Sequence, residues 1–188
     1  GTNGLPVPKG FVVPHIDTTA IKQDIQLAHR DTATNIIAFM HWGYEYHNFP
    51  NKEQRALSKW LHEQGADMVI GSHPHVVQPI EYYTSNKDTL GVTVFSLGNF
   101  ISNQSQQGTE GGICIRVTLT KPRNYPVRYQ MESIKFYMYR PYEEGRRRYY
   151  VVPENLADSI MKDFHLTKSK NFFKKTDSIL KSTKTFSF

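Results

Sequence analysis

Cysteine is nearly missing. A single one, Cys114, occurs in 188 residues, so no disulfide can close within the chain and the redox compartment is left open. Long apolar runs are missing as well: none approaches the ~20 residues that cross a bilayer, and no cleavable signal pattern is present. Acidic residues are in deficit, 17 against 23 Lys and Arg, for a formal charge of +6 and a pI near 9.3. No internal repeat occurs.

Aromatic residues are abundant at 13%, with 11 Tyr and 11 Phe, so much of the core or of a groove should be aromatic. The length and the 38% hydrophobic content suit one domain, or one domain plus an appendage. The basic excess sits at one end. "RPYEEGRRRYY" (140–150) carries four arginines, and half of the lysines fall between Lys162 and Lys184, whereas Ile36 to Phe100 is close to balanced and rich in histidine. That distribution argues for a solvated tail or contact with an anionic surface, and against nucleic-acid binding.

"GTNGLPVPKGFVVPHID" (1–17) reads as loop with one short extended piece. Asp17 and Thr18 offer caps for a helix toward Arg30, with Ile21, Ile25 and Ala28 at helical spacing. "NIIAFMHWG" (35–43) is an apolar strand ending where His41 begins. In "NKEQRALSKWLHEQGAD" (51–67), Pro50 and Asn51 start a helix, Ala56, Leu57, Trp60 and Leu61 form its stripe, and Gly65 stops it. "DMVI" (67–70) is the next strand. This order predicts a parallel βαβ unit, with both histidine groups beyond the carboxyl ends of neighbouring strands. After Pro79, "EYY", "LGVTVFSLGNF", "GGICIRVTLT", "VRYQMESIKFYMYR" and "RRRYYVV" predict antiparallel strands, with turns at "TSNKD" (84–88) and "KPRNYP" (121–126). From Pro153 two helical pieces follow. The expected division is therefore 1–152, then a helical basic tail over 153–188.

Within "GSHPH" (71–75), Gly71 permits a tight exit from the strand. Pro74 fixes φ and withholds a donor, which holds His73 and His75 on one stiff loop. Two such imidazoles can face metals about 3.5–4 Å apart. "HWGYEYH" (41–47) adds His41, Glu45 and His47. A lone loop histidine is usually just a hydrogen-bonded residue, but three after adjacent strands point to a metal. Trp42, Tyr44 and Tyr46 fit either core packing or groove walls. Glu45 suits a partner to a base, a substrate contact, or a residue that orients histidine. Ser96 and Asn99 of "SLGNF" are candidate substrate contacts, with a simple turn as the alternative, while Gln78 and Glu81 are read as surface residues.

Taken together, "GTNG", "HWGYEY", "GADMVIGSHPHVVQPIE" and "FSLGNFI", spread over residues 1–103, resemble the bacterial CapA family of poly-γ-glutamate capsule synthesis, itself related to the calcineurin-like metallophosphoesterases. The resemblance implies the C-terminal part of a four-layer α/β/β/α sandwich with two divalent metals of the Mn, Fe or Zn type. His41 and His73 would serve one metal and His75 the other. His41 and Glu45 would be catalytic, with Trp42, Tyr44, Ser96 and Asn99 toward substrate. The superfamily's metal-bridging Gly-Asp and Gly-Asn-His elements are lacking here, and no Asp-x-His precedes the histidine groups. The chain is therefore expected to be a C-terminal half, with metal absent or partial without its other half. Implied partners are an anionic polymer or phosphoester substrate, the N-terminal half, and a second copy through an open sheet edge. The implied location is the cell envelope, outside the cytoplasm. A different reading makes the chain a non-catalytic polyanion-binding or assembly subunit, using "GRRRYY" and an aromatic rim.

Overall fold

In the computed structural model, residues 6–10, 15–85, 88–120 and 128–187 are described. The turn expected at 121–126 lies outside these residues, and the stretch 1–17 and the turn at 84–88 lie partly outside. Helix α1 (Thr18–Arg30) starts where Asp17 accepts from the Thr19 and Ala20 amides, which satisfies donors that a helix start leaves orphaned. Strand β1 (Ile37–His41) leads to α2 (Lys52–Glu63) and β2 (Met68–Ser72). Asn51 and Gln54 form a reciprocal capping box at the start of α2. β1 and β2 run parallel in register from Ile37 opposite Met68 to His41 opposite Ser72, as the βαβ reading predicts.

Strands β3 (Ile80–Ser85) and β4 (Asp88–Val94) form a hairpin whose second arm runs parallel to β2. The five-stranded sheet has the order β1-β2-β4-β3-β10, where β10 is Lys184–Ser187. A three-stranded antiparallel sheet joins β5 (Gly111–Thr120), β6 (Arg128–Tyr139) and β9 (Tyr150–Pro153), and β7 (Tyr142–Glu143) pairs with β8 (Arg146–Arg147). The chain is thus a mixed α/β protein with parallel and antiparallel pairing. Ile25, Met40, Trp42, Leu61, Val69 and Phe95 form one core on the α1 and α2 side. Residues of the five-stranded sheet, the three-stranded sheet and the C-terminal helices form a second. No helix among the described residues is long and apolar enough to cross a membrane.

The basic C-terminal stretch differs from a solvated tail. After a short 3-10 turn (Glu154–Leu156) and α3 (Ala157–Ile160), α4 (Asp163–Lys181) buries Phe172, Phe173 and Ile179 in the second core. The chain then returns as β10, parallel to β3. Its lysines occupy the outer face of a helix whose inner face is apolar, so charge alone misleads about its position.

α2 also departs from its expected stripe. Its buried residues are Gln54, Ser58, Leu61 and His62, whereas Ala56 is exposed. The reason is a polar layer against the sheet. Ser58 Oγ lies 2.7 Å from Thr93 Oγ1 and 3.1 Å from the Tyr83 hydroxyl. His62 contacts Ala66 O through Nδ1 at 2.6 Å and Thr93 Oγ1 through Nε2 at 2.8 Å. Gln78 and Glu81, expected at the surface, are buried here as well. Gln78 accepts from Gln54 Nε2 at 3.1 Å, and Glu81 pairs with Arg55. Buried polar groups need partners, and α2 supplies them at helical spacing.

Burial pushes the His62 pKa below its ordinary value of 6.5, so the folded protein holds it neutral. Below that pH the unfolded chain takes up a proton that the folded chain refuses. Stability from this source is therefore complete above the ordinary value and falls on acidification, by at most about 1.4 kcal/mol per pH unit. In urea unfolding from pH 7.5 to 5, His62→Asn is expected to be less stable at pH 7.5 and to lose stability less steeply. An unchanged slope contradicts this.

Candidate metal centre

The carboxyl ends of β1 and β2 lie side by side, so the loops leaving them converge at one rim. Gly71 is needed there because its backbone runs against the next strand. A Cβ on it would stand 1.9 Å from Phe95 O and 2.4 Å from Trp42 Nε1. Trp42 donates from Nε1 to Phe95 O at 2.9 Å and stacks on the Phe95 ring. The two loops are stitched together by Trp42 N to Ser72 O at 3.1 Å and Tyr46 N to Pro74 O at 2.8 Å.

On this frame Glu45, His73 and His75 each offer one ligand atom, and these atoms lie within 4.8 Å of one another. His41 flanks them, its ring centroid 4.5 Å from that of His73. Burial, and after it the neighbouring His73 charge, pushes the His41 pKa down; burial also lowers that of His73, against an opposing pull from Glu45. Both imidazoles therefore favour the neutral form that ligates metal.

The His75 tautomer follows from its partners. Asn99 Nδ2 donates to Gln104 Oε1 at 2.8 Å and to Thr109 O at 3.0 Å, which leaves Asn99 Oδ1 as an acceptor. It lies 2.9 Å from His75 Nδ1, so that nitrogen carries the proton. His75 Nε2 then points toward Glu45 Oε1 across 3.9 Å. His73 Nδ1 adds a buried nitrogen with no hydrogen-bond partner among the described residues. The donor set fits a divalent ion of the Zn, Mn or Fe type, whose ligands are imidazole and carboxylate.

Holding this set strains the backbone. His73 has φ 98°, His75 φ 61° and Tyr46 φ 65°, in a region that side chains with a Cβ disfavour. Gly in place of His73 relieves the strain while removing the ligand. His73→Gly is expected to unfold about 1 kcal/mol later than His73→Ala, read by urea denaturation. Equal stability of the two contradicts a strained loop.

Several sequence expectations change place. His73 and His75 stand together as expected, but their third close neighbour is Glu45, with His41 beside them. Trp42 is no groove wall: it is buried at 5% exposure and fills the first core. Ser96 does not face the rim either. It is fully buried and its hydroxyl accepts from Gly98 N at 3.2 Å, a turn role. Asn99 touches His75 and so orients that imidazole. Tyr44 is exposed at the rim, with its ring edge toward His47, while Tyr46 stacks on His75 at 6.0 Å. His47 stays outside the cluster, held by a contact from Nδ1 to Glu45 O at 2.8 Å. Gln104 was missed. It links Asn99 to the Tyr46 hydroxyl, and only its nearness to "SLGNF" could have suggested it.

The fold and this rim define a mixed α/β protein with a histidine–carboxylate cluster on the loops that follow parallel strands. Residues 3–104 match the family described as bacterial capsule synthesis protein PGA_cap, and the chain belongs to that family. It is 35% identical over 117 residues to the PGA biosynthesis protein CapA of Bacillus subtilis (strain 168), a match covering 62% of this chain and 27% of that protein. It is also 34% identical over 90 residues to the capsule biosynthesis protein CapA of Bacillus anthracis, covering 48% of this chain and 21% of the relative. The matched stretches thus span about a quarter of these relatives' lengths or less.

Proposed function

We propose that the chain is the C-terminal part of a four-layer α/β/β/α, metallophosphoesterase-like domain in a capsule biosynthesis protein, and that the rim is a metal-dependent hydrolase or transferase site. The observation that carries this reading is the convergence of ligand atoms from Glu45, His73 and His75 within 4.8 Å of one another, with His73 Nδ1 buried and without a hydrogen-bond partner among the described residues. His73, His75 and Glu45 would hold one divalent ion, with His41 at its edge. A bound metal supplies Lewis-acid activation of water and of the scissile bond.

The chain's own residues do the rest. Asn99 fixes the His75 tautomer, Tyr44 and Tyr46 wall the approach, and His41, neutral at rest, is placed to take a proton from the attacking water and pass it to a leaving oxygen or nitrogen. The carboxylate charge here is too small for two divalent ions, so further acidic ligands come from elsewhere in the longer protein. β1 offers the place for that remainder to join: it is an edge strand of the sheet, and Phe39 on it is 78% exposed. A second copy is the competing occupant of the same edge. The envelope location follows from the capsule role, and the substrate is a phosphoester or an amide-linked anionic polymer.

The test is turnover of bis(p-nitrophenyl) phosphate and of a γ-glutamyl polymer by the Mn²⁺-loaded longer protein. Activity that needs metal and drops about 100-fold or more in His41→Gln supports the reading. A metal-loaded protein inactive on both overturns catalysis and leaves a binding or assembly subunit.

A further inference from the structure

Beyond the family match, a second surface carries a different chemistry. Two cavities of about 200 and 320 Å³ lie side by side over the C-terminal part of the chain and share Ser105 and Lys168 as lining residues. Arg140, Arg147, His165 and Lys168 line the first, and Lys168 and Lys175 line the second. His165, Lys168 and Lys175 recur on one face of α4, so the helix presents a row of cations along the groove. The carboxylate lining it is Glu110, which accepts from Gly108 N at 2.5 Å.

Among the described side chains, no carboxylate pairs with Arg140, Arg147, Lys168 or Lys175. By contrast, Arg148, Lys170, Lys135 and Arg116 each have one. Arg140 spends Nη1 on Gln104 O at 2.8 Å, which leaves most of its guanidinium donors for another acceptor. Lys168 Nζ lies over the Phe164 ring, 4.3 Å from its centroid. Burial, followed by the Lys168 and Arg140 charges, pushes the His165 pKa down, a sign that cation crowds cation here. Lys135 shows the other solution on the same chain, with Glu154 at 2.7 Å and Asp177 at 2.5 Å. A protein able to neutralise a half-buried lysine leaves this groove positive.

We infer that the groove formed by Arg140, Arg147, Lys168 and Lys175 is a binding site for an extended polyanion carrying repeated oxyanion groups. Its floor is the loop that also supports the histidine cluster. Gln104, whose carbonyl binds Arg140, bonds through its side chain to Asn99, the partner of His75. The site does not depend on the metal reading, because none of its cations belongs to the histidine cluster.

The shared chemistry is the oxyanion, and its source is a run of carboxylates or of phosphates. The test follows anisotropy of a fluorescein-labelled glutamate octamer on the 188-residue chain, with inorganic tripolyphosphate as competitor at matched charge. Arg147→Gln/Lys168→Gln is expected to weaken octamer binding tenfold or more, and Lys175→Gln several-fold. Arg116→Gln, a paired arginine on β5, is expected to leave it unchanged. Weak displacement by tripolyphosphate assigns a carboxylate chain, and strong displacement assigns phosphate. Octamer binding unaffected by the double variant, or weakened equally by Arg116→Gln, overturns the site in favour of diffuse attraction to a basic protein.

Discussion

Replacing Arg55 with alanine is expected to cost about 3 kcal/mol of stability at pH 7.5, among the largest losses available to a side chain that is partly exposed. Its partner Glu81 is 1% exposed, and its second oxygen, Oε2, has no hydrogen bond among the described residues. Removing the guanidinium leaves a buried carboxylate uncompensated, which is far worse than losing the pair together. Burial pushes the Glu81 carboxyl up from its ordinary value of 4.5, and the Arg55 contact pulls it back. Without Arg55 only the smaller pull of the Lys184 charge opposes the upward push.

A carboxyl raised in the folded state favours folding below its unfolded pKa and loses that contribution as pH rises through the folded value. The Arg55→Ala deficit should therefore shrink as pH falls from 7.5 toward 5. Arg55→Ala/Glu81→Gln should recover a good part of it at pH 7.5, since the buried charge is gone. Urea denaturation of the two variants at both pH values checks this. A deficit independent of pH, with no recovery in the double variant, contradicts a buried charge pair and leaves Arg55 acting through its place over the Phe95 ring, 5.6 Å away.

The second large effect concerns metal. His75→Ala is expected to lower divalent-metal affinity about 100-fold or more, because it removes a direct ligand. Asn99→Ala should cost about 10- to 100-fold while leaving every ligand in place, since it only frees the His75 tautomer. Asn99→Asp, still an acceptor for His75 Nδ1, should retain most of the affinity. Calorimetric titration with Zn²⁺ separates the three. Asn99→Ala behaving as the wild type would mean that the 2.9 Å contact does nothing for the site.

Local sequence made some of this legible. Alternate histidines around Pro74, directly after an apolar strand, announced a stiff loop at a strand end, and the parallel β1–α2–β2 unit placed His41 beside it. Other residues depended on partners too distant to read. Trp42 looks like a groove aromatic until it meets Phe95 O, 53 residues later. Gln78 and Glu81 look like surface residues because their partners, Gln54 and Arg55, lie on the preceding helix. The α2 stripe was misplaced for the same reason: its buried polar side chains are satisfied across the sheet, and periodicity counts only apolar ones. β10 escaped notice because "KTFS" becomes a strand only by pairing with β3. Glu45 was seen as chemistry, yet its place among the close ligand atoms depends on the turn at Tyr46.

One measurement bears most directly on the rim: metal content by plasma mass spectrometry after equilibration with Mn²⁺ or Zn²⁺ and gel filtration. It is made on this chain and on the longer protein proposed to contain it, each beside its His73→Ala/His75→Ala variant. The expected result is one ion in the chain and two in the longer protein, with the chain's ion lost on substitution. Metal in neither protein, or metal retained by both variants, contradicts a centre built on Glu45, His73 and His75.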